Sequence, residues 1–408
     1  MKKYFVYPCL LMLYLALFVL TSCGGGNSDQ NEYRIFEQGR AEPTETGKYW
    51  VVDLTGSWME MGRQYGGLMG PELRNFHAQV VEDLRTRGVS QEDMIAVAKE
   101  IYALYSWELQ DVILGISQTS GLSMDETMVL NAGMILLTIA VLEGEPPSAC
   151  SGIAVWNEYS MDGRLIFGRN WDIDRKAMRD YMRYLAVVIF HPQEGHAFAN
   201  IHPLGNVYME TGMNSEGLFI ELNNAEYSDS AMYEDREDTS SVLVRVLNQS
   251  ENVAQAVYML KNIPADISYI LQIADPSRAV SLERPTFDAR VRDLEDDGLV
   301  ITYNSFVPPY PAHWEGKVNP PKPAENDPRY ENMLQLAQSP AYKGMFTPKT
   351  MQDYLEVPIE EGGAYHPRTV IQVVSVPAER TIWMRGCDYT DWERVPLADY
   401  FYGVNSSY

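Results

Sequence analysis

The chain changes character at Cys150, and this change constrains its fold more than any other feature of the sequence. Before Cys150, apolar residues recur at helical spacing in three stretches, about 57–86, 90–117 and 123–143. After it come short β-rich runs, interrupted by pairs of helical patterns. A turn that contains Asp162-Gly163 joins the first two runs into a predicted hairpin. Strands and helices that alternate in groups, rather than as strict βαβ units, predict a layered α+β fold.

The first 22 residues have the pattern of a secretory signal peptide, with two lysines before a short apolar run. The run ends in Leu-Thr-Ser-Cys at Cys23, which resembles a bacterial lipobox and implies a lipid on that cysteine. An ordinary signal peptide or a short anchor helix is the alternative. The polar, turn-rich residues that follow predict a flexible linker over 23–48. The sequence therefore predicts a lipid-anchored protein of the bacterial cell envelope, periplasmic or surface-exposed, with Cys23 as its contact to the membrane.

The composition argues against several classes of function. The 32 Lys and Arg against 56 Asp and Glu give a net charge of -24, which makes nucleic acid a poor partner. The six histidines form no His-x-x-x-His or His-x-His pair, and the chain has no Cys-x-x-Cys. We therefore expect no metal site and no cofactor. The sequence gives no indication of the oligomeric state.

Two cysteines remain once Cys9 leaves with the signal peptide and Cys23 carries lipid: Cys150 and Cys387. Outside the cytoplasm such a pair favours a disulfide, and the protein would then be a binding lipoprotein without activity. The alternative is a nucleophilic Cys150. The predicted hairpin would return Arg169 and Asp172 to its side, and a cation lowers the pKa of a nearby thiol. Arg169 and Asp172 could equally form a plain surface ion pair.

The motifs together, in their order along the chain, resemble the choloylglycine hydrolase and penicillin acyltransferase superfamily of N-terminal-nucleophile hydrolases. The matching segments are Gly56–Gly66, Cys150, Gly168–Asp172, Gly212–Leu218, Leu222–Asn224 and Thr302–Phe306. The first of them favours the acyltransferase branch over the bile salt hydrolases. The resemblance implies a four-layer αββα fold, with a helical small-subunit or pro segment over 49–149 and a catalytic domain over 150–400.

The resemblance also implies the chemistry, which needs no histidine. In this family the nucleophilic cysteine becomes a new N-terminus, and its own α-amine, with a pKa of about 7.7 to 8.0, takes the thiol proton. Cys150 would then be the nucleophile, and the bond between Ala149 and Cys150 would have to be cut. Asp172 would hold the freed amine, and Arg169 would line the site.

The resemblance assigns the remaining roles to asparagine side chains and to one arginine. Asn223, or Asn224 because the register is open by one residue, and Asn304 would donate hydrogen bonds to the tetrahedral oxyanion. The alternative is that these side-chain amides only form hydrogen bonds with backbone groups at the ends of strands. Asn214 is expected to shape a turn, and Arg368 is assigned as the C-terminal arginine of the site.

The expected activity is hydrolysis of a linear amide bond in a small-molecule substrate, through an acyl-thioester on Cys150. Acyl transfer, as in the same family, is the alternative reaction. The motifs identify neither the acyl part nor the amine part of the substrate.

Overall fold

Two β-sheets form the centre of the protein. The computed structural model describes residues 33–141 and 150–402. The predicted signal peptide, Cys23 and Ala149 lie outside these residues, and so do the predictions made for them. The strands, in chain order, are β1 (Arg34–Phe36), β2 (Gly39–Pro43), β3 (Trp50–Gly56), β4 (Ser151–Asn157), β5 (Gly163–Asp172), β6 (Leu185–Pro192), β7 (Phe198–Pro203), β8 (Thr211–Asn214), β9 (Phe219–Asn224), β10 (Tyr269–Ala274), β11 (Ala279–Arg284), β12 (Arg290–Arg292), β13 (Leu299–Thr302), β14 (Thr369–Val376), β15 (Thr381–Gly386) and β16 (Glu393–Pro396).

The larger sheet has ten strands in the order β1-β2-β3-β6-β7-β8-β9-β10-β11-β12, and the smaller has six in the order β13-β4-β5-β14-β15-β16. Neighbouring strands are antiparallel, except that β3 pairs in parallel with β6. All eight residues of β14 are buried, as expected for a central strand that is covered on both faces. The sheets face each other, because β10 of the larger sheet contacts β4 and β13 of the smaller one.

Helices cover the outer face of each sheet. They are α1 (Trp58–Thr86), α2 (Gln91–Leu104), α3 (Trp107–Thr119), α4 (Met124–Val141), α5 (Arg175–Met178), α6 (Thr239–Gln249), α7 (Val253–Lys261), α8 (Arg329–Gln338), α9 (Pro348–Leu355) and α10 (Leu397–Phe401). On the larger sheet, α1 packs against β2 and β3, α6 against β8 and α7 against β11. On the smaller sheet, α8 packs against β13 and α9 against β5 and β14. The order of layers is αββα, which confirms the predicted fold class.

The glycines of the Gly56–Gly66 motif have a packing role in α1. A Cβ added to Gly62 would lie 2.2 Å from the carbonyl oxygen of Val112 on α3, and one added to Gly66 would lie 2.6 Å from that of Ile116. The two helices therefore approach at backbone distance, which only glycine permits. The Ser57 and Glu60 side chains close a capping box at the start of α1.

The helical part before Cys150 differs from the prediction at one point. The stretch 90–117, expected as one helix, is split into α2 and α3 at Tyr105 and Ser106, which are both extended. The N–H of Ser106 donates to the Ser241 hydroxyl at 2.9 Å, and the Gln110 side chain donates to the Tyr105 carbonyl at 3.0 Å. Side chains from elsewhere thus satisfy backbone groups that would otherwise continue the helix.

The linker predicted to reach residue 48 is wrong in its second half. Residues 34–43 form β1 and β2, which pair with each other and with β3 at the edge of the larger sheet. The described residues form one compact unit, and this N-terminal part belongs to the larger sheet. Main-chain pairing and the stacking of Arg34 over Trp50, 4.2 Å from the ring centroid, offset the polar composition that predicted a loop.

One of the described helices, α4, is long and apolar enough to cross a membrane by length and composition. More than half of it is buried in the protein. It packs against α1, α2 and α3, as expected for a core helix.

Candidate active site

The β4–β5 hairpin brings Cys150 to the segment that contains Arg169 and Asp172. Cys150 directly precedes β4, and Gly152 lies opposite Arg169 in the antiparallel register. The predicted hairpin is thus confirmed. The Sγ atom of Cys150 lies 3.5 Å from the main-chain nitrogen of Asp172, which donates to it, and 3.9 Å from the Asp172 carbonyl oxygen. A thiol and a carboxylate-bearing residue are therefore in contact, although 22 residues separate them in the chain.

Cys150 is buried, with only 7% of the residue exposed. Burial raises its pKa to about 12, and the positive charge of Arg169 opposes this rise only in part. In the form of the chain described here, the sulfur therefore stays protonated near neutral pH. A nucleophilic role requires a base beside it.

The carboxylate of Asp172 is buried without a good donor. The residue is 1% exposed, and among the described residues neither Oδ1 nor Oδ2 accepts a hydrogen bond of normal geometry. Burial raises its pKa to about 7, against the opposing effects of the nearby Thr369 hydroxyl and the Arg329 charge. A buried carboxylate in this state is suited to an additional cationic donor.

Arg329, which no sequence motif indicated, reaches the site formed by Cys150 and Asp172. It is the first residue of α8, and its Nη1 donates to the Cys150 carbonyl oxygen at 2.9 Å and to Asn304 Oδ1 at 3.1 Å. Asp327 pairs with its Nη2 at 2.7 Å. Arg368, the residue assigned from the sequence, is half-buried, and its charge also acts on the Asp172 carboxylate, so its role stays a prediction beside that of Arg329.

Asn304 is linked to Cys150 through Arg329. Its Nδ2 donates to the Asn224 carbonyl oxygen at 2.9 Å, and its Oδ1 accepts from Arg329. An asparagine amide has two N–H groups, so one donor remains beyond the bond to Asn224.

Asn223 and Asn224 face different ways. The buried side chain of Asn223 donates to Glu221 Oε1 at 2.9 Å and to Thr302 Oγ1 at 3.3 Å, so it belongs to a polar cluster between the sheets rather than to the Cys150 contacts. In an antiparallel strand, the N–H and C=O of one residue point to the same side. The Asn224 carbonyl meets Asn304, so the Asn224 N–H also points to the Asn304 side of the strand.

Arg169 joins the two sheets and is not a surface ion pair. Its guanidinium donates to the carbonyl oxygens of Glu210 and Leu222 at 2.6 and 2.9 Å and to the Thr211 hydroxyl. Its Nε lies 3.5 Å from the buried Glu221 carboxylate. Arg169 therefore fixes the end of β9 against β5.

Gly152 shows how tightly the cluster between the sheets is packed. A Cβ at this position would lie 1.9 Å from Glu221 Oε1 and 2.4 Å from Gln272 Oε1. Any side chain there would displace the Glu221 carboxylate that faces Arg169.

The disulfide alternative is absent from the structure, because Cys150 and Cys387 are both free. Cys387 is buried, and its sulfur lies 3.8 Å from Gln372 Oε1.

The predicted role of Asn214 in a turn is confirmed, because its Oδ1 accepts hydrogen bonds from the N–H groups of Glu216 and Leu218. In the described part of the chain, no group of three His, Cys, Asp or Glu side chains could hold a metal ion.

A protein-family model described as acyl-coenzyme A:6-aminopenicillanic acid acyl-transferase matches residues 156–384. A curated relative, an uncharacterized protein of Archaeoglobus fulgidus, is 23% identical over 350 residues, which are 73% of this chain and 57% of that protein. The chain therefore spans little more than half the length of that relative.

Three solved structures show distant similarity. A Caenorhabditis elegans ortholog of N-acylethanolamine-hydrolyzing acid amidase is 20% identical, with a TM-score of 0.42 over 56% of this chain and 93% of its own. A variant of the conjugated bile acid hydrolase from Clostridium perfringens is 14% identical, with a TM-score of 0.43 over 61% and 92%. Penicillin V acylase from Agrobacterium tumefaciens is 13% identical, with a TM-score of 0.33 over 61% and 86%.

Proposed function

Because this chain belongs to the acyl-coenzyme A:6-aminopenicillanic acid acyl-transferase family, whose members act on amides by hydrolysis or acyl transfer, we propose that it is a cysteine amidohydrolase. In this proposal Cys150 cleaves a linear amide through an acyl-thioester. The observation that carries the proposal is the contact between the Cys150 thiol and Asp172, whose buried carboxylate has no good donor.

The proposed activation is cleavage of the peptide bond before Cys150. The Cys150 sulfur attacks the Ala149 carbonyl carbon, the C–N bond breaks, and the thiol proton passes to the released nitrogen. Water then hydrolyses the resulting thioester, which restores the thiol and leaves a free α-amine on Cys150. Two features support this step. Among the described residues no histidine forms a hydrogen bond with the Cys150 thiol, and neither carboxylate oxygen of Asp172 accepts a hydrogen bond of normal geometry, so the new amine would supply a donor.

In the proposed catalytic cycle the Cys150 amine takes the thiol proton, and the sulfur attacks the amide carbonyl of the substrate. The remaining N–H of Asn304 and the main-chain N–H of Asn224 are the donors that we assign to the oxyanion, since Arg329 links Asn304 to the Cys150 carbonyl and Asn304 in turn contacts Asn224. The amine leaves with the proton, and water hydrolyses the acyl-thioester. Arg329 and Arg169 position the asparagines and the strand end rather than exchange protons.

Hydrolysis is preferred to acyl transfer in this proposal, because an enzyme in the cell envelope meets little acyl-coenzyme A. The predicted lipid on Cys23 would be carried by the N-terminal fragment after cleavage. That fragment contributes β1, β2 and β3 to the larger sheet, and β3 pairs with β6 over seven residues. Sheet pairing and the packing of α1 would hold the two fragments together.

The test is the mass and N-terminal sequence of the purified protein, compared with those of Cys150→Ala and of Cys387→Ala as the matched control. We expect two fragments, one beginning Cys150-Ser151-Gly152, in the wild type and in Cys387→Ala, and one uncut chain in Cys150→Ala. A single uncut wild-type chain would refute the mechanism and leave a non-catalytic binding lipoprotein as the better account.

A further inference from the structure

A second carboxylate, that of Glu210, lies close to the nucleophile and is used by no step above. Glu210 precedes β8, and its Oε2 accepts a hydrogen bond of 2.6 Å from the indole nitrogen of Trp171. Trp171 is the neighbour of Asp172 on β5. The Glu210 side chain is 25% exposed, whereas Asp172 and Glu221 are buried. Glu210 is therefore an acid beside Cys150 that solvent or a ligand can reach.

Aromatic rings surround this carboxylate. His202 contacts both Trp171 and Tyr208 edge to face, with ring centroids 5.6 and 4.6 Å apart. The His202 Nε2 lies 3.7 Å from Glu210 Oε2, beyond hydrogen-bond distance, and neither ring nitrogen has a hydrogen-bond partner among the described residues. A carboxylate among a tryptophan, a tyrosine and a histidine ring is an environment that attracts an organic cation.

The two arginines near Cys150 make their direct contacts with other carboxylates, and the group that faces the Glu210 carboxylate is the His202 imidazole. Arg169 faces Glu221 at 3.5 Å, and Arg329 pairs with Asp327 at 2.7 Å. Asp172 would be neutralised by the amine that self-cleavage releases. Arg169 reaches the main-chain oxygen of Glu210. Burial opposes the shift, but His202, the charge of Arg169 and the indole donor of Trp171 together lower the pKa of the Glu210 carboxylate, which therefore carries a charge near neutral pH.

We propose that Glu210, with the rings of Trp171 and Tyr208, forms a subsite for a cationic group of the substrate. This inference rests on the proposed amidohydrolase function and narrows its substrate class. An amide that carries an ammonium group near the scissile bond is favoured, and one that carries a carboxylate there is rejected by like charge.

The test uses the self-processed protein and two series of amides. In one, acyl 4-nitroanilides end in an ammonium, a methyl or a carboxylate group. In the other, octanoyl amides carry the same three groups on the amine part. We expect kcat/KM to favour the ammonium over the carboxylate member by about tenfold or more in one of the series, the effect of one partly solvated charge pair.

Glu210→Gln, which keeps an oxygen acceptor for Trp171, should remove this preference while hydrolysis of the methyl compound continues. Glu210→Asp should give an intermediate ratio, and the exposed Glu360→Gln, which removes the same charge elsewhere, should leave it unchanged. If the wild type hydrolyses the ammonium and carboxylate members of both series equally well, the subsite is overturned, and no variant has to be made to reach that conclusion. A preference that survives Glu210→Gln also overturns it, because the preference then comes from a group other than the Glu210 carboxylate. A processed protein that hydrolyses no member of either series overturns the proposed function, and the subsite with it.

Discussion

The buried carboxylate of Asp172 gives a prediction whose sign depends on whether the chain has been cut. In the uncut chain the charged carboxylate has no good donor, so we expect Asp172→Asn to stabilise the protein where Asp172 would be ionised. The Cys150→Ala background keeps the chain uncut. We therefore compare Cys150→Ala with the double variant that adds Asp172→Asn, at pH 5 and at pH 8.

The expected magnitude follows from the pKa shift. Burial raises the pKa of Asp172 from 3.8 to about 7. The folded state then holds the proton more tightly than the unfolded state, so the free energy of unfolding falls as pH rises from 3.8 to about 7 and changes no further above it. The shift corresponds to about 4 kcal/mol in total, of which about 2 to 3 kcal/mol accrues between pH 5 and pH 8. Asparagine does not titrate, so the double variant should gain that amount relative to Cys150→Ala.

The assay is urea denaturation followed by tryptophan fluorescence at both pH values. Other titrating groups are common to both chains, so they cancel in the comparison. The exposed Asp235→Asn in the same background serves as the control, and its effect should not change with pH. An effect of Asp172→Asn that is the same at pH 5 and pH 8, or a destabilisation that grows with pH, would refute the burial argument.

In the processed chain the same substitution should have the opposite effect. The Asp172 carboxylate would then pair with the new ammonium group of Cys150, so replacing it should lower both stability and kcat at pH 8. Asp172→Asn that improves the stability of the processed form would mean that the amine does not reach this carboxylate.

Three further substitutions test the rest of the site. Arg329→Gln leaves Asp327 unpaired, so the free energy of unfolding should fall by about 3 to 5 kcal/mol in a denaturation series; adding Asp327→Asn should recover part of it, and no recovery would contradict the pairing. Asn304→Ala should lower kcat by about a hundred- to a thousandfold with little change in KM in steady-state kinetics, whereas a change confined to KM would exclude it from the oxyanion site. Gly152→Ala should destabilise the protein by about 2 to 3 kcal/mol or more through its clash with Glu221, and calorimetry that finds an unchanged melting temperature would contradict the packing described.

The sequence correctly predicted those features of the fold that depend on interactions between residues close together in the chain. The hairpin after Cys150 follows from Asp162-Gly163 between two apolar runs, and it places Arg169 opposite Gly152 as the register requires. The start of α1 follows from its capping box. These features depend on residues a few positions apart, which a sequence displays directly.

The errors arise where distant side chains satisfy the backbone. The residues before Thr211 do not extend β8, because the Asn131 side chain accepts from Val207 N–H and the Ser240 hydroxyl accepts from Met209 N–H. Ser241 ends the predicted long helix at Ser106 in the same way. Such contacts span 31 to 135 residues of sequence and leave no periodic signal.

The site was only partly predictable for the same reason. Cys150 and Asp172 meet through one hairpin, so the motif after Cys150 was sufficient to place them together. Arg329 lies 179 residues from Cys150, in a proline-rich region that offers no motif, and only the packing of α8 against β13 brings it to the Cys150 carbonyl. The roles assigned to Arg169, Asn223 and Asn304 remain predictions, and the structure adds that the Asn223 amide is engaged by Glu221 and Thr302.

The most direct test of the central claim is to trap the acyl group on Cys150. The processed protein is mixed with a chromogenic acyl amide, quenched in acid within milliseconds and digested for mass spectrometry. The account predicts that the fragment beginning at Cys150 gains the mass of the acyl group on its sulfur, that neutral hydroxylamine removes it, and that Cys150→Ala never acquires it. Turnover without any acylated Cys150 fragment, or an acyl group on another residue, would contradict the account.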